Sequence, residues 1–188
     1  MKFDLKSHTK YLVVHGSRAY GMQQSTSDVD VKGFAIPPLE YYLSPFKNSA
    51  ENGKAGFQQV DTQSTIEKAF FDVLTEEEKA VSRAEKVEGV VYDFRKFVRL
   101  CAKMNPTMVE CLFVRDEEVR VTSPVAEALR EIAPAFLSTK AKWTYSGYAA
   151  DQLGRIERHR RWLFKPPTEQ PKREDFDLPP GPFMNKSE

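Results

Sequence analysis

The chain has 188 residues, 40% hydrophobic, 29% charged and 12% aromatic, which suits a folded domain with or without an appendage and excludes collagen-like, coiled-coil, disulfide-rich and disordered classes. Lys and Arg total 28 against 27 Asp and Glu, a formal net charge of +1, so attraction to a polyanion has to come from a local patch. No apolar run approaches the ~18 residues of a membrane span, and the N-terminus lacks a signal-peptide pattern, which predicts a cytoplasmic protein with no membrane partner.

In chain order, Tyr11 to His15 reads as a strand ended by Gly16-Ser17, and Val29 to Ile36 as a second strand ended by Pro37-Pro38. The stretch from Gly16 to Asp28 between them has room for a short helix after the Gly-Ser turn. Residues 44–57 are rich in turn formers and read as an exposed loop. Residues 67–86 read as partly helical, with Thr75-Glu76-Glu77-Glu78 suited to a loop or a helix start.

Glu88 to Tyr92 reads as a further strand. Asp93 then caps a helix whose apolar residues Phe94, Phe97, Val98 and Cys101 recur at helical spacing as far as Asn105-Pro106. Helices are also expected from Pro106, from Ser123-Pro124, and over 140–164 before Pro166-Pro167. The layout is a core over 1–139, a basic helical region over 140–165 and a Pro-rich linker or tail over 166–188. Cys101 and Cys111 read as reduced core residues, His15 as structural, and His8 and His159 as surface residues.

Chemistry concentrates between residues 15 and 33, HGSRAYGMQQSTSDVDVKG. Asp28 and Asp30 are one residue apart in a strand, so both carboxylates lie on one face of the sheet, an unfavourable pairing unless a cation binds there. Mg²⁺ or Mn²⁺ suits such a pair, completing its shell with water and substrate phosphates. Gly16 lets a phosphate approach the backbone, and the Ser17 hydroxyl and neighbouring N–H groups can donate to it. A third carboxylate comes from Glu88 or from Asp93. Glu88 is preferred because it opens the later strand, whereas Asp93 is placed to cap the helix.

The pattern Gly16-Ser17, ten residues, then Asp28-Val29-Asp30-Val31 resembles the signature of the DNA polymerase beta-like nucleotidyltransferase superfamily. The fuller string GSRAYGMQQSTSDVDVKGFAIPP, with YDFRKFVRLCAKMNPTMVECLF downstream, resembles its RNA-repair-associated, RlaP-like branch, over about residues 11–173. The resemblance implies an α/β (α+β) fold, a small mixed sheet with flanking helices and a C-terminal helical region, with residues 1–139 as the catalytic core. It implies that Gly16 and Ser17 hold a nucleoside triphosphate, with Arg18 and Ser27 in the same nucleotide-binding string, and that Asp28 and Asp30 bind metal. Glu88 stands where relatives are expected to have Asp.

The implied reaction is transfer of a nucleoside monophosphate from a triphosphate to a hydroxyl, with an RNA 3′ end as the implied acceptor and release of pyrophosphate. A catalytically degenerate nucleotide- or RNA-binding module, and a transferase acting on a protein or small molecule, are the alternatives. The family's chains usually continue into further helices, so a chain that keeps the fold and metal site without full activity is also an expectation. Lys96 and Glu110 match the family block, and two amphipathic helices would equally allow them a structural ion pair.

Residues 140–173 carry nine Lys or Arg against three acids, with Tyr145, Tyr148 and Trp162 interleaved. The Arg155 to Arg161 region is therefore the candidate surface for triphosphate or RNA, against the plainer reading of a solvated helix face.

Overall fold

The computed structural model describes residues 4–24, 27–43, 57–84, 87–166, 168–169 and 172–178. Among these, the strands β1 (Thr9–His15), β2 (Val29–Ala35), β3 (Gln59–Val60), β4 (Val87–Asp93) and β5 (Val119–Val121) form a mixed sheet in the order β3-β4-β2-β1-β5. β2 and β4 run parallel, while β1 pairs antiparallel with β2 and β5, and β3 with β4. The helices are α1 (Leu5–His8), α2 (Glu40–Leu43), α3 (Gln63–Phe70), α4 (Glu76–Ala84), α5 (Phe94–Ala102), α6 (Pro106–Glu110), α7 (Pro124–Glu131) and α8 (Ala141–Phe164). This is the expected α+β arrangement.

Strand alternation divides the buried side chains into two cores, one on each face of the sheet. Leu12, Val14, Val29, Val31, Val87 and Val91 point to one face, where Ile66 and Phe70 of α3 cover them. Tyr11, Val13 and Phe34 point to the other, against Phe97 and Cys101 of α5, Met108 of α6 and Leu129 of α7. Phe34 is the hub of this second core, its ring centroid 5.8 Å from Tyr11, 5.0 Å from Phe94 and 5.2 Å from Phe97. The Tyr11 hydroxyl crosses the layer to donate to the Cys111 carbonyl at 2.6 Å, tying β1 to the end of α6. Both cysteines are free and buried, and burial pushes each thiol up to about 12.

Local signals explain most helix starts. Asp93 caps α5, its Oδ1 accepting from the N–H of Arg95 at 3.0 Å and of Lys96 at 3.3 Å. Asn105 and Ser123 cap α6 and α7 in the same way, each followed by Pro in the first turn. Thr75 and Glu78 form a reciprocal capping box at α4: the Thr75 hydroxyl accepts from the Glu78 N–H at 3.3 Å, and Glu78 Oε2 accepts from the Thr75 N–H at 2.9 Å.

The structure departs from the sequence reading in several places. Gly16 to Gly21 is one hydrogen-bonded turn instead of a short helix. Met22 N–H donates to the Ser17 carbonyl at 2.8 Å and Gly21 N–H to the Arg18 carbonyl at 3.1 Å, with Gly21 at φ +65°. That is a Schellman closure, which stops the helix after its first turn. Phe57 lies in the core, not in an exposed loop, and the rest of the expected 44–57 loop falls outside the described residues. Lys96 donates to Gln59 Oε1 at 2.5 Å and forms no ion pair with Glu110, whose carboxylate faces β1.

The chain divides into two compact units, residues 1–145 and 146–188. α8 contributes to both and buries none of its side chains. Residues Arg173–Phe176 form a single 3-10 turn. Among the described residues no helix is long and apolar enough to cross a membrane.

The buried ion pair between Glu78 and Arg120 links α4 to β5, with side chains 6% and 10% exposed. Burial opposes ionisation of Glu78, but hydrogen bonds from Arg120 and Thr75 outweigh it and hold the carboxyl below its ordinary range. Such a group stabilises the fold fully above the ordinary glutamate range and ceases to do so as the pH falls through its depressed native value. Replacing Glu78 by Ala leaves Arg120 buried and unpaired, an expected loss of about 3 kcal/mol near neutral pH. Urea denaturation of wild type and Glu78→Ala over a pH series checks this, because the gap between them should close in acid.

Candidate active site

β1 ends at His15, and the pairing of β1 with β2 sets His15 opposite Asp30. Val29 and Val31 are fully buried on the α3 side. Strand alternation therefore puts Asp28, Asp30 and Lys32 on the other face. The parallel pairing of β2 with β4 sets Glu88 beside Asp30. Asp28, Asp30 and Glu88 thus share one side of two adjacent strands, beyond the apolar core centred on Phe34.

Burial first, and then the negative charges of Asp28 and Glu88, raise the Asp30 carboxyl above its ordinary value, with Lys32 acting in the opposite sense. Asp93, the other candidate for a third carboxylate, is committed elsewhere. Besides capping α5 it accepts from the Tyr42 hydroxyl at 2.9 Å and pairs with Arg95 at 3.2 Å. Among the described residues no group of three or more His, Cys, Asp and Glu side chains is gathered tightly enough to hold a metal ion as it stands.

Gly16 sits at φ +68°, a conformation that costs an L-residue with a side chain. A Cβ at this position would lie 2.2 Å from Asp30 Oδ2. The glycine therefore both turns the chain out of β1 and leaves the space the Asp30 carboxylate occupies. Ser17 opens the turn that follows, so its N–H and those of Arg18 and Ala19 have no preceding helical carbonyl to donate to.

Arg18 and Ser27 shape the approach to β2. The Arg18 side chain is only 9% exposed, donates to the carbonyls of Ser27 and Asp28 at 3.4 Å each, and lies 3.8 Å from Glu77. Ser27 Oγ accepts from the Gln24 N–H at 2.9 Å. Both residues are thus engaged in holding the backbone that leads into Asp28.

A second group of polar side chains adjoins the carboxylates. His15 is 5% exposed, and its Nδ1 lies 3.1 Å from the Lys32 ammonium. Burial, and then the Lys32 charge, push the imidazole down to about 4. Its Nε2 is buried with no hydrogen-bond partner among the described residues, 3.8 Å from Glu110 Oε2. Glu110 accepts from the Tyr20 hydroxyl, and Tyr145 is raised by burial and by the charge and hydrogen bonding of Glu110. Sequence reasoning missed Lys32, although strand alternation announces it as the next position on the Asp28–Asp30 face. Tyr145, which the sequence groups with the basic helical surface, instead joins His15 and Glu110 through packing between distant parts of the sequence.

The chain matches the profile of the RNA repair pathway DNA polymerase beta family, RlaP, over residues 4–166. No curated protein and no solved structure matches it. With a family match over most of its length, and with the Gly-Ser turn and the Asp-x-Asp strand side by side on one sheet face, this chain belongs to the RlaP family of polymerase beta-like proteins.

Proposed function

We propose that the chain is a metal-dependent nucleotidyltransferase that moves a nucleoside monophosphate from a triphosphate to a hydroxyl, with an RNA 3′ end as acceptor. The observation that carries this reading is the row Asp28, Asp30 and Glu88, in which burial first, and then the charges of Asp28 and Glu88, raise the Asp30 carboxyl. A hard divalent cation relieves that repulsion, and carboxylate oxygens are its preferred donors. Asp28 and Asp30, with Glu88 beside them, are the residues that would hold it. When bound, such a cation supplies charge neutralisation for the phosphates and favours ionisation of the attacking hydroxyl.

The chain's own residues supply the positioning. Gly16 brings the backbone close to the site, and the N–H groups of Ser17, Arg18 and Ala19 together with the Ser17 hydroxyl offer donors for triphosphate oxygens. Arg18 and Ser27 hydrogen-bond to the backbone beside Asp28, so they would act on nucleotide binding by positioning Asp28. In the reaction the acceptor oxygen forms a bond to the α-phosphorus while the bond to pyrophosphate breaks, and the acceptor proton is released. Rate enhancement would come from orientation and electrostatics.

For RNA, the second unit presents Arg155, Arg158, Arg160 and Arg161 with Trp162 and Phe164, all exposed. Arg158, Arg161 and Lys165 recur at helical spacing on one side, and the Arg160 guanidinium lies 6.0 Å from the Phe164 ring centroid. Cations interleaved with exposed rings suit a phosphate backbone with stacked bases.

Given α-labelled nucleoside triphosphates, Mg²⁺ or Mn²⁺ and a mixed RNA pool, label should enter RNA, and Asp28→Asn or Asp30→Asn should reduce transfer by about 10³-fold or more with the fold intact. Label on protein or on a small molecule would move the acceptor, and triphosphate binding without transfer would favour a binding module. Gly16→Ala should cost about 1–2 kcal/mol in denaturant unfolding and impair transfer, because the methyl group meets Asp30. Finally, Arg158→Ala/Arg161→Ala should weaken single-stranded RNA binding and flatten its log–log salt slope by about 0.7 for each phosphate no longer neutralised, as read by fluorescence anisotropy.

A further inference from the structure

Next to the carboxylate row lies a cavity of about 420 Å³ within the first unit, walled by Tyr20, Phe113, Leu137 and Tyr145 and floored by His15 and Glu110. Its polar floor is specific. The Lys32 ammonium only donates, so His15 Nδ1 must accept from it, and the neutral ring then carries its hydrogen on Nε2. Among the described residues that N–H is buried without a partner, a costly state that calls for an explanation such as a bound group. Beside it, 3.8 Å away, stands the Glu110 carboxylate, an acceptor.

A ligand that satisfies both must be flat enough for walls of aromatic rings and must carry an acceptor directly beside an N–H donor. Adenine meets this with either edge, N7 beside N6–H or N1 beside N6–H. Guanine meets it with O6 beside N1–H, whereas its N7 edge shows two acceptors, which the Glu110 carboxylate repels. Cytosine and uracil carry the same pattern on a smaller ring and fill less of the space. The cavity also adjoins the proposed triphosphate site, because His15 precedes Gly16 and pairs with Asp30. We propose that this cavity takes the purine base of the incoming nucleotide, with His15 Nε2–H donating to an acceptor on the base edge and Glu110 accepting from the N–H beside it.

The proposal rests on the nucleotidyltransferase reading for its account of why the base and the phosphates belong to one ligand, and the test separates the two. Calorimetric titration of the full chain with adenosine, guanosine, cytidine and uridine, without metal, reads the cavity alone. Adenosine and guanosine should bind more tightly than cytidine and uridine, and Glu110→Gln and His15→Phe should each weaken purine binding by ~10-fold or more, with folding checked by circular dichroism. Glu110 is partly exposed, so Glu110→Gln gives the answer if His15→Phe does not fold.

Titration with tripolyphosphate and Mg²⁺ reads the carboxylate site. Adenosine and tripolyphosphate should each displace ATP. If tripolyphosphate binds and neither purine nucleoside does, if a pyrimidine nucleoside binds more tightly, or if adenosine fails to displace ATP, the purine assignment is overturned while the transferase reading stands. If adenosine binds as described and tripolyphosphate does not bind with metal, the cavity assignment stands and the transferase reading falls.

Discussion

The register of β1 against β2 is the constraint on which the rest of the site depends. His15 opposite Asp30 places the end of one strand and the start of the next on the same face, so the Gly-Ser turn emerges beside the two aspartates. A slip of one residue would send Asp28 and Asp30 into the core that holds Ile66 and Phe70, and bring Val29 and Val31 to the polar side. Two buried carboxylates cost far more than two buried valines stabilise. Apolar burial on one face therefore fixes the charge arrangement on the other, and Gly16 is the one residue type that fits between them.

From this register the polar face grades into two environments. Toward the start of β2 it is anionic, with Asp28 and Asp30 and with Glu88 from β4. Around His15 it becomes a balanced network in which Lys32, His15, Glu110, Tyr20 and Tyr145 answer one another. Under the proposed function the two environments would take different parts of one ligand: a cation with phosphates at the first, a neutral flat ring at the second. Tyr11, whose hydroxyl reaches the Cys111 carbonyl, locks the segment carrying Glu110 against β1 and keeps that second environment in register with the first.

What is legible in the sequence is local. The Asp28-x-Asp30 alternation, the Asp93 cap and the Asn105-Pro106 helix start each depend on a few neighbouring residues and on strand or helix period alone. Where the outcome turns on one more hydrogen bond, local pattern overshoots: the segment after Gly16 has helical turn geometry, but Gly21 in the left-handed region closes it at once. β3 and β5 span two and three residues, too short for any period to show, and they exist because neighbouring strands offer them partners. The pairing of Glu88 with Asp30 follows from burying Val87 and Val91 beside Val29 and Val31, a tertiary choice. His15 reads as structural from its neighbours in sequence, and its buried, unpartnered Nε2 becomes visible only with Glu110 folded over it.

The central claim is that the carboxylates on this face are a cation site, and direct binding tests it without reference to turnover. Mn²⁺ titration followed by electron paramagnetic resonance, in the presence of a non-hydrolysable triphosphate, should show bound Mn²⁺ for the wild-type chain and a loss of at least ~10-fold in affinity for Asp30→Asn. Equal Mn²⁺ binding by the two proteins, both folded, would contradict the account.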